Sequence, residues 1–153
     1  MPNYPKTMKI LVLNGPNLNL LGTREPGIYG SGTMESCMSA LRERFPGIEF
    51  LYSQSNVEGY LIDRLQAAAA DGTDGVVLNA GAYTHTSLAL HDAIKSVSLP
   101  VVEVHISNIH QREAIRHQSF IAAACRGSIC GFGLDSYRLG VSALVEILRQ
   151  KEF

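Results

Sequence analysis

Lys9-Ile-Leu-Val-Leu-Asn14 runs straight into Gly15-Pro16-Asn17. Four apolar residues in a row, closed by an asparagine and a glycine-proline pair, are too few for a helix and do not alternate with polar ones. A continuous apolar run of this length suits a strand covered on both faces, as in a parallel sheet. Two further stretches repeat the design, Gly75–Asn79 (GVVLN) and Val101–His105 (VVEVH). Residues 49–53 and 128–130 are weaker strand candidates.

Helical patterns fill the intervals. Residues 34–45 stop at Pro46-Gly47, and residues 86–96 precede Leu99-Pro100. Residues 55–70 open with Ser55-Asn56-Val57-Glu58, which reads as a capping box, and close at Asp71-Gly72. Residues 111–124 are read as containing a further helix. Asp135–Gln150 places Leu139, Leu144, Ile147 and Leu148 near one face. Strands alternating with helices imply right-handed crossovers and a doubly wound α/β sheet. Five parallel strands of this size fit a flavodoxin-like order 2-1-3-4-5, although periodicity alone does not fix the order. With 153 residues there is room for one domain and not for two. Residues 1–8 read as a disordered leader, with Met8 an alternative start, and residues 9–153 as a single catalytic domain.

Thirteen Lys and Arg against fourteen Asp and Glu leave a net charge of -1, which argues against a nucleic-acid or anionic-membrane surface. No apolar stretch approaches the roughly 18 residues of a membrane span, and the opening MPNYPKT lacks the apolar segment of a secretory signal. Cys37, Cys125 and Cys130 are odd in number and form no CxxC, which points to a reducing cytoplasm.

The three apolar strands run into Asn-Gly-Pro-Asn, Asn-Ala-Gly-Ala and His-Ile-Ser-Asn. Open α/β sheets bind ligands beyond the carboxyl ends of their strands, so these polar ends are expected to share one site. Arg24 and Tyr29 lie in a long Gly/Pro-rich connection of the kind that forms functional lids. A guanidinium near a tyrosine favours its anion and makes a base of it; from composition alone an ordinary surface turn with an exposed tyrosine is the commoner reading. Glu103 and His105 are two apart on a strand and share a face, which suits an oriented general acid or a satisfied strand-end histidine. Arg112 and Arg116, four apart, would be neighbours on a helix, either gripping an anion or forming a solvated charged face with Glu113. Residues 79–87 end a strand and open a helix; Thr84 and Thr86 there serve as well as caps. No metal-ligand spacing or phosphate-cradling loop is present.

Taken together, residues 13–22 (LNGPNLNLLG), 24–30 (REPGIYG), 79–87 (NAGAYTHTS), 103–108 (EVHISN) and 112–119 (REAIRHQS) resemble the motifs of the type II 3-dehydroquinate dehydratases, in that family's order, over about residues 9–150. The resemblance implies a hydro-lyase with no cofactor and no metal. It implies that Tyr29 takes the C2 proton of 3-dehydroquinate, with Arg24 and Arg112 holding its anion. Asn17 would position a water on the enolate oxygen, and His105, oriented by Glu103, would protonate the departing C1 hydroxyl. Asn79, Ser107 and the Ile106 N–H would hold the carboxylate, and His85, Arg116 and a neighbouring chain's Asp92 the ring hydroxyls. It also implies a homo-oligomer, a dodecamer assembled from trimers.

The type I route through a lysine imine is rejected, because Lys6, Lys9, Lys95 and Lys151 fall outside the expected site. A flavin-binding domain without catalysis is the alternative from another class, but residues 14–22 lack the hydroxyl-rich character of a flavin phosphate loop. A receiver-type signalling domain needs an acidic cluster at the strand ends, where Asn, Gly and His stand instead.

Overall fold

The computed structural model describes residues 7–23, 25–29 and 32–150, with Pro26 and Tyr29 described in their backbone alone. Five strands, β1 (Met8–Asn14), β2 (Ile48–Gln54), β3 (Gly75–Asn79), β4 (Val101–His105) and β5 (Gly127–Cys130), form one sheet in the order β2-β1-β3-β4-β5. Every pairing is parallel. This is the doubly wound, flavodoxin-like arrangement expected from the strand patterns. The first strand opens at Met8, which the sequence reading placed in the leader; residues 1–6 lie outside the described residues.

The apolar runs are continuous because each strand feeds two cores. Ile10 and Val12 point to one face, where they meet Met38 and Leu41 of α2 (Met34–Arg44) and Tyr137, Val141 and Leu144 of α5 (Asp135–Gln150). Leu11 and Leu13 point to the other, against Leu61 and Leu65 of α3 (Glu58–Ala70) and Leu90 and Ile94 of α4 (Leu88–Ser96). A short helical turn, α1 (Pro26–Tyr29), precedes α2 in the long first connection. Fully burying one such leucine contributes about 1.5–3 kcal/mol, so the two layers carry most of the driving force. Gly140 lets α5 sit close to the sheet: a Cβ there would come within 2.8 Å of Val104 Cγ1. Among the described residues no helix is long and apolar enough to cross a membrane.

Three local expectations differ from the structure. Ser55 does not cap α3, which begins at Glu58 after Val57; its Oγ accepts from the Val57 N–H instead. A capping box does form at α2, where Thr33 and Ser36 exchange hydrogen bonds. Residues 111–124 do not form an α-helix but three short 3-10 turns, Ile109–Gln111, Ala114–Arg116 and Ala122–Ala124. On α5 the buried stripe runs through Tyr137, Gly140, Val141 and Leu144, while Leu139 and Leu148 are only half-buried. Tyrosine and glycine in that stripe, beside the buried Ser136, hid the face from a count of leucines.

Candidate active site

The carboxyl ends of β1, β3 and β4 converge. β1 and β3 stay in register to their last pair, Asn14 with Asn79. The Gly15 N–H then donates to the Asn79 carbonyl at 2.7 Å. A Cβ on residue 15 would sit 2.5 Å from the Ala80 oxygen, so only glycine permits this closure. Asn17 follows with φ 69°, in the left-handed region that asparagine tolerates better than most residues. Its N–H donates to Asn56 Oδ1 at 2.9 Å.

Beyond these ends lies a cavity lined by Asn17, Asn79, His85, His105, Ile106, Ser107, Arg112 and Arg116, with Pro16, Leu18, Gly81, Ala82 and Ile109 between them. Eight of the twelve residues singled out in the sequence meet there. An adjoining cavity shares Ile106, Ser107 and Arg112 with it and reaches Gly27 and Ile28, the residues just before Tyr29.

At the end of β4, His105 Nε2 lies 2.7 Å from Glu103 Oε1, both side chains nearly sealed from solvent. Burial pushes the Glu103 carboxyl up, but its hydrogen bonds from His105, Ser128 and Ser119 prevail and hold it below the usual carboxylate range. An ionised carboxylate only accepts, so Nε2 carries a hydrogen and Nδ1 is the nitrogen left for a ligand.

His85 stacks on His105, ring centroids 6.2 Å apart. Its Nδ1 lies 2.8 Å from the Gln118 carbonyl, which can only accept. Burial lowers the His85 pKa, and the His105 and Arg116 charges lower it further against the opposing Gln118 bond. His85 is thereby biased towards the neutral ring, with Nε2 as an acceptor.

Asn79 is oriented from below. Its Nδ2 donates to Tyr137 Oη at 3.0 Å, and its Oδ1 accepts from the Gly81 N–H at 3.1 Å. Tyr137 in turn donates to Asn14 Oδ1 at 2.7 Å, and burial drives its phenol pKa well above the ordinary value. One Nδ2 hydrogen of Asn79 remains beyond the Tyr137 bond. Arg112 and Arg116 are not stacked on a helix face: Arg112 is extended, with ψ -167°, after the first 3-10 turn, and Arg116 closes the second. Arg116 pairs with Glu113, Nε to Oε2 at 2.6 Å. Both arginines come to the cavity lining by way of tight turns.

The sequence model of the family described as dehydroquinase class II matches residues 8–145 of this chain. The chain belongs to the class II dehydroquinase family. The 3-dehydroquinate dehydratase of an Exiguobacterium species is 55% identical over 145 residues, covering 94% of this chain and 99% of that protein. That of Azorhizobium caulinodans is 58% identical over 137 residues, covering 88% and 92%. The crystal structure of the type II dehydroquinase from Butyrivibrio crossotus superposes with a TM-score of 0.88 at 48% identity, covering 90% of this chain and 97% of that one.

Two of the residues named from the dehydroquinase motifs, Glu103 and Asp92, do not line this cavity. Glu103 sits behind His105. Arg24 and the Tyr29 side chain lie outside the described residues. Asp92 is exposed on α4, with Oδ1 3.0 Å from His91 Nδ1, and does not line the cavity of its own chain. The helix after the His85 motif is capped by Ser87, which accepts from the Leu90 N–H, and not by Thr84 or Thr86. Sequence reasoning missed Ser128 and Tyr137 and gave Ser119 no role. Ser119 stood at the end of a quoted motif, but its partner Glu103 is sixteen residues away in the chain. Tyr137 is 58 residues from Asn79, and no local spacing joins them.

Proposed function

We propose that this chain dehydrates 3-dehydroquinate to 3-dehydroshikimate, a step of the shikimate pathway, by anti elimination through an enolate. The reading is carried by the buried Glu103–His105 pair, whose His105 lines a cavity together with Asn17, Asn79, Ser107 and Arg112, in a chain of the class II dehydroquinase family. The Tyr29 phenolate, favoured by the Arg24 and Arg112 guanidiniums, takes a proton from C2. The electrons move to the ketone oxygen, where a water held by Asn17 stabilises the enolate; an aligned donor at developing charge is the strongest kind of catalytic contribution. The enolate then collapses to the C1–C2 double bond. The C1 hydroxyl leaves as water with the proton of the His105 imidazolium. The cycle ends with the proton on Tyr29 and a neutral His105, and proton exchange with water resets both.

Asn79, Ser107 and the Ile106 N–H hold the substrate carboxylate, and His85 and Arg116 the ring hydroxyls. No imine is needed, since a proton beside a ketone requires only a base and an enolate stabiliser. Among the described residues no lysine lines the cavity, and Lys9 Nζ donates to the Asp71 carbonyl. The active form in this reading is a cytoplasmic dodecamer of trimers, with Asp92 reaching a neighbouring chain's cavity; its exposure on α4 supports that role. The test is to add 3-dehydroquinate to the purified protein and follow ultraviolet absorbance. A rise as the conjugated enone forms is expected, and a flat trace refutes the proposal.

A further inference from the structure

We propose that Ser119 and Ser128 are positioning residues of the His105 acid, clasping both oxygens of Glu103 so that its carboxylate stays ionised and turned towards His105 Nε2. The proposal rests on the dehydration reading above. Ser128 is the register partner of Glu103 across the β4–β5 ladder, and its Oγ donates to Oε2 at 2.5 Å. Ser119, in the connection between two 3-10 turns, donates to Oε1 at 2.7 Å. The Ser119 hydroxyl also accepts from the Ala122 N–H at 3.1 Å, which leaves its single hydrogen for Glu103. With His105 Nε2, the carboxylate receives three donors from three separate parts of the chain.

The need for the clasp follows from burial. Glu103 is 1% exposed, and a buried carboxylate without donors takes up a proton. A neutral Glu103 would donate to Nε2 instead of accepting from it. His105 would then be a neutral imidazole, a far weaker acid than the imidazolium. Packing cannot substitute for the hydroxyls, because a further cavity borders the pair. Glu103, His105, Ser119 and Ser128 line it together with His110 and Cys130.

The experiment compares Ser119→Ala, Ser119→Thr and the Ser119→Ala/Ser128→Ala double variant, each in the native chain and in Glu103→Gln. A positioned general acid contributes about 10²–10⁴-fold, and loss of the clasp is expected to forfeit about tenfold of it in kcat with KM little changed. Ser119→Thr keeps the hydroxyl and should keep the rate. In Glu103→Gln the alanine substitutions should cost nothing further, because the residue they act through is already lost. The same loss in both backgrounds, or an unchanged kcat in the double variant, overturns the proposal. Proton NMR of the His105 Nε2–H supplies a readout that needs no turnover. Its signal should shift and exchange faster with water in the double variant, and an unmoved signal counts equally against the clasp. If the native chain fails to turn over 3-dehydroquinate, it is the dehydration reading that falls, and the NMR comparison still decides the clasp.

Discussion

His105 Nε2 meets Glu103 Oε1 at 2.7 Å, two residues back along β4, and both side chains lie at the covered end of the sheet. Strand alternation puts them on one face. The carboxylate fixes which ring nitrogen carries the bound hydrogen and which one turns to a ligand. The position of this imidazole is therefore set by one strand and its neighbours rather than by a flexible loop.

His105→Ala should lower kcat by about 10²–10⁴-fold, the usual contribution of a positioned general acid, with a modest change in KM. Steady-state kinetics on the folded variant checks this. A change confined to KM would make His105 a binding residue only.

Glu103 links the site to pH stability. Its carboxyl titrates below the ordinary range in the folded chain, hydrogen bonds from His105, Ser128 and Ser119 outweighing the opposing effect of burial. In the unfolded chain a glutamate titrates at about 4.3. Its stabilisation is therefore fully present above about pH 4.3 and is lost as pH falls through the lower folded value. Urea midpoints taken from neutral pH down to about pH 3 should fall more steeply for the native chain than for Glu103→Gln. Parallel slopes would contradict the shift.

Tyr137→Phe removes one hydroxyl from a fully buried network and strands Asn14 Oδ1 and one Asn79 N–H. Leaving such groups unsatisfied costs about 1–3 kcal/mol each, so the denaturant midpoint should drop. KM should rise as the Asn79 amide loses its anchor. A stability loss with KM untouched would separate Tyr137 from the site.

Asp92 tests assembly. Tyr29→Phe and Asp92→Ala chains, each impaired alone, should regain activity when dissociated, mixed and reassembled. A mixed interface in a cyclic oligomer can pair an intact Tyr29 with an intact Asp92 from the next chain. Exchange verified by mass with activity at the parental average would place Asp92 within its own chain's function or outside function altogether.

Much of this was legible in the chain. Lys9–Asn14, Gly75–Asn79 and Val101–His105 announced strands because parallel strands are apolar on both faces, and the polar residues that follow them mark the cavity. The Glu103–His105 pairing was readable from a spacing of two. What stayed hidden was of two kinds. The 3-10 turns around Arg112 and Arg116 carry no periodicity strong enough to separate them from a helix. The supports of the site, Tyr137 under Asn79 and Ser128 beside Glu103, depend on the packing of α5 and the β4–β5 register, which no local pattern encodes.

The central claim is an elimination begun by a tyrosine base. The most direct measurement is the rate of enone formation from 3-dehydroquinate, followed by ultraviolet absorbance for the native chain and Tyr29→Phe side by side. Steady turnover by the native chain and none by a folded Tyr29→Phe is the predicted result. Substantial turnover by Tyr29→Phe, or no turnover by the native chain, would contradict the account.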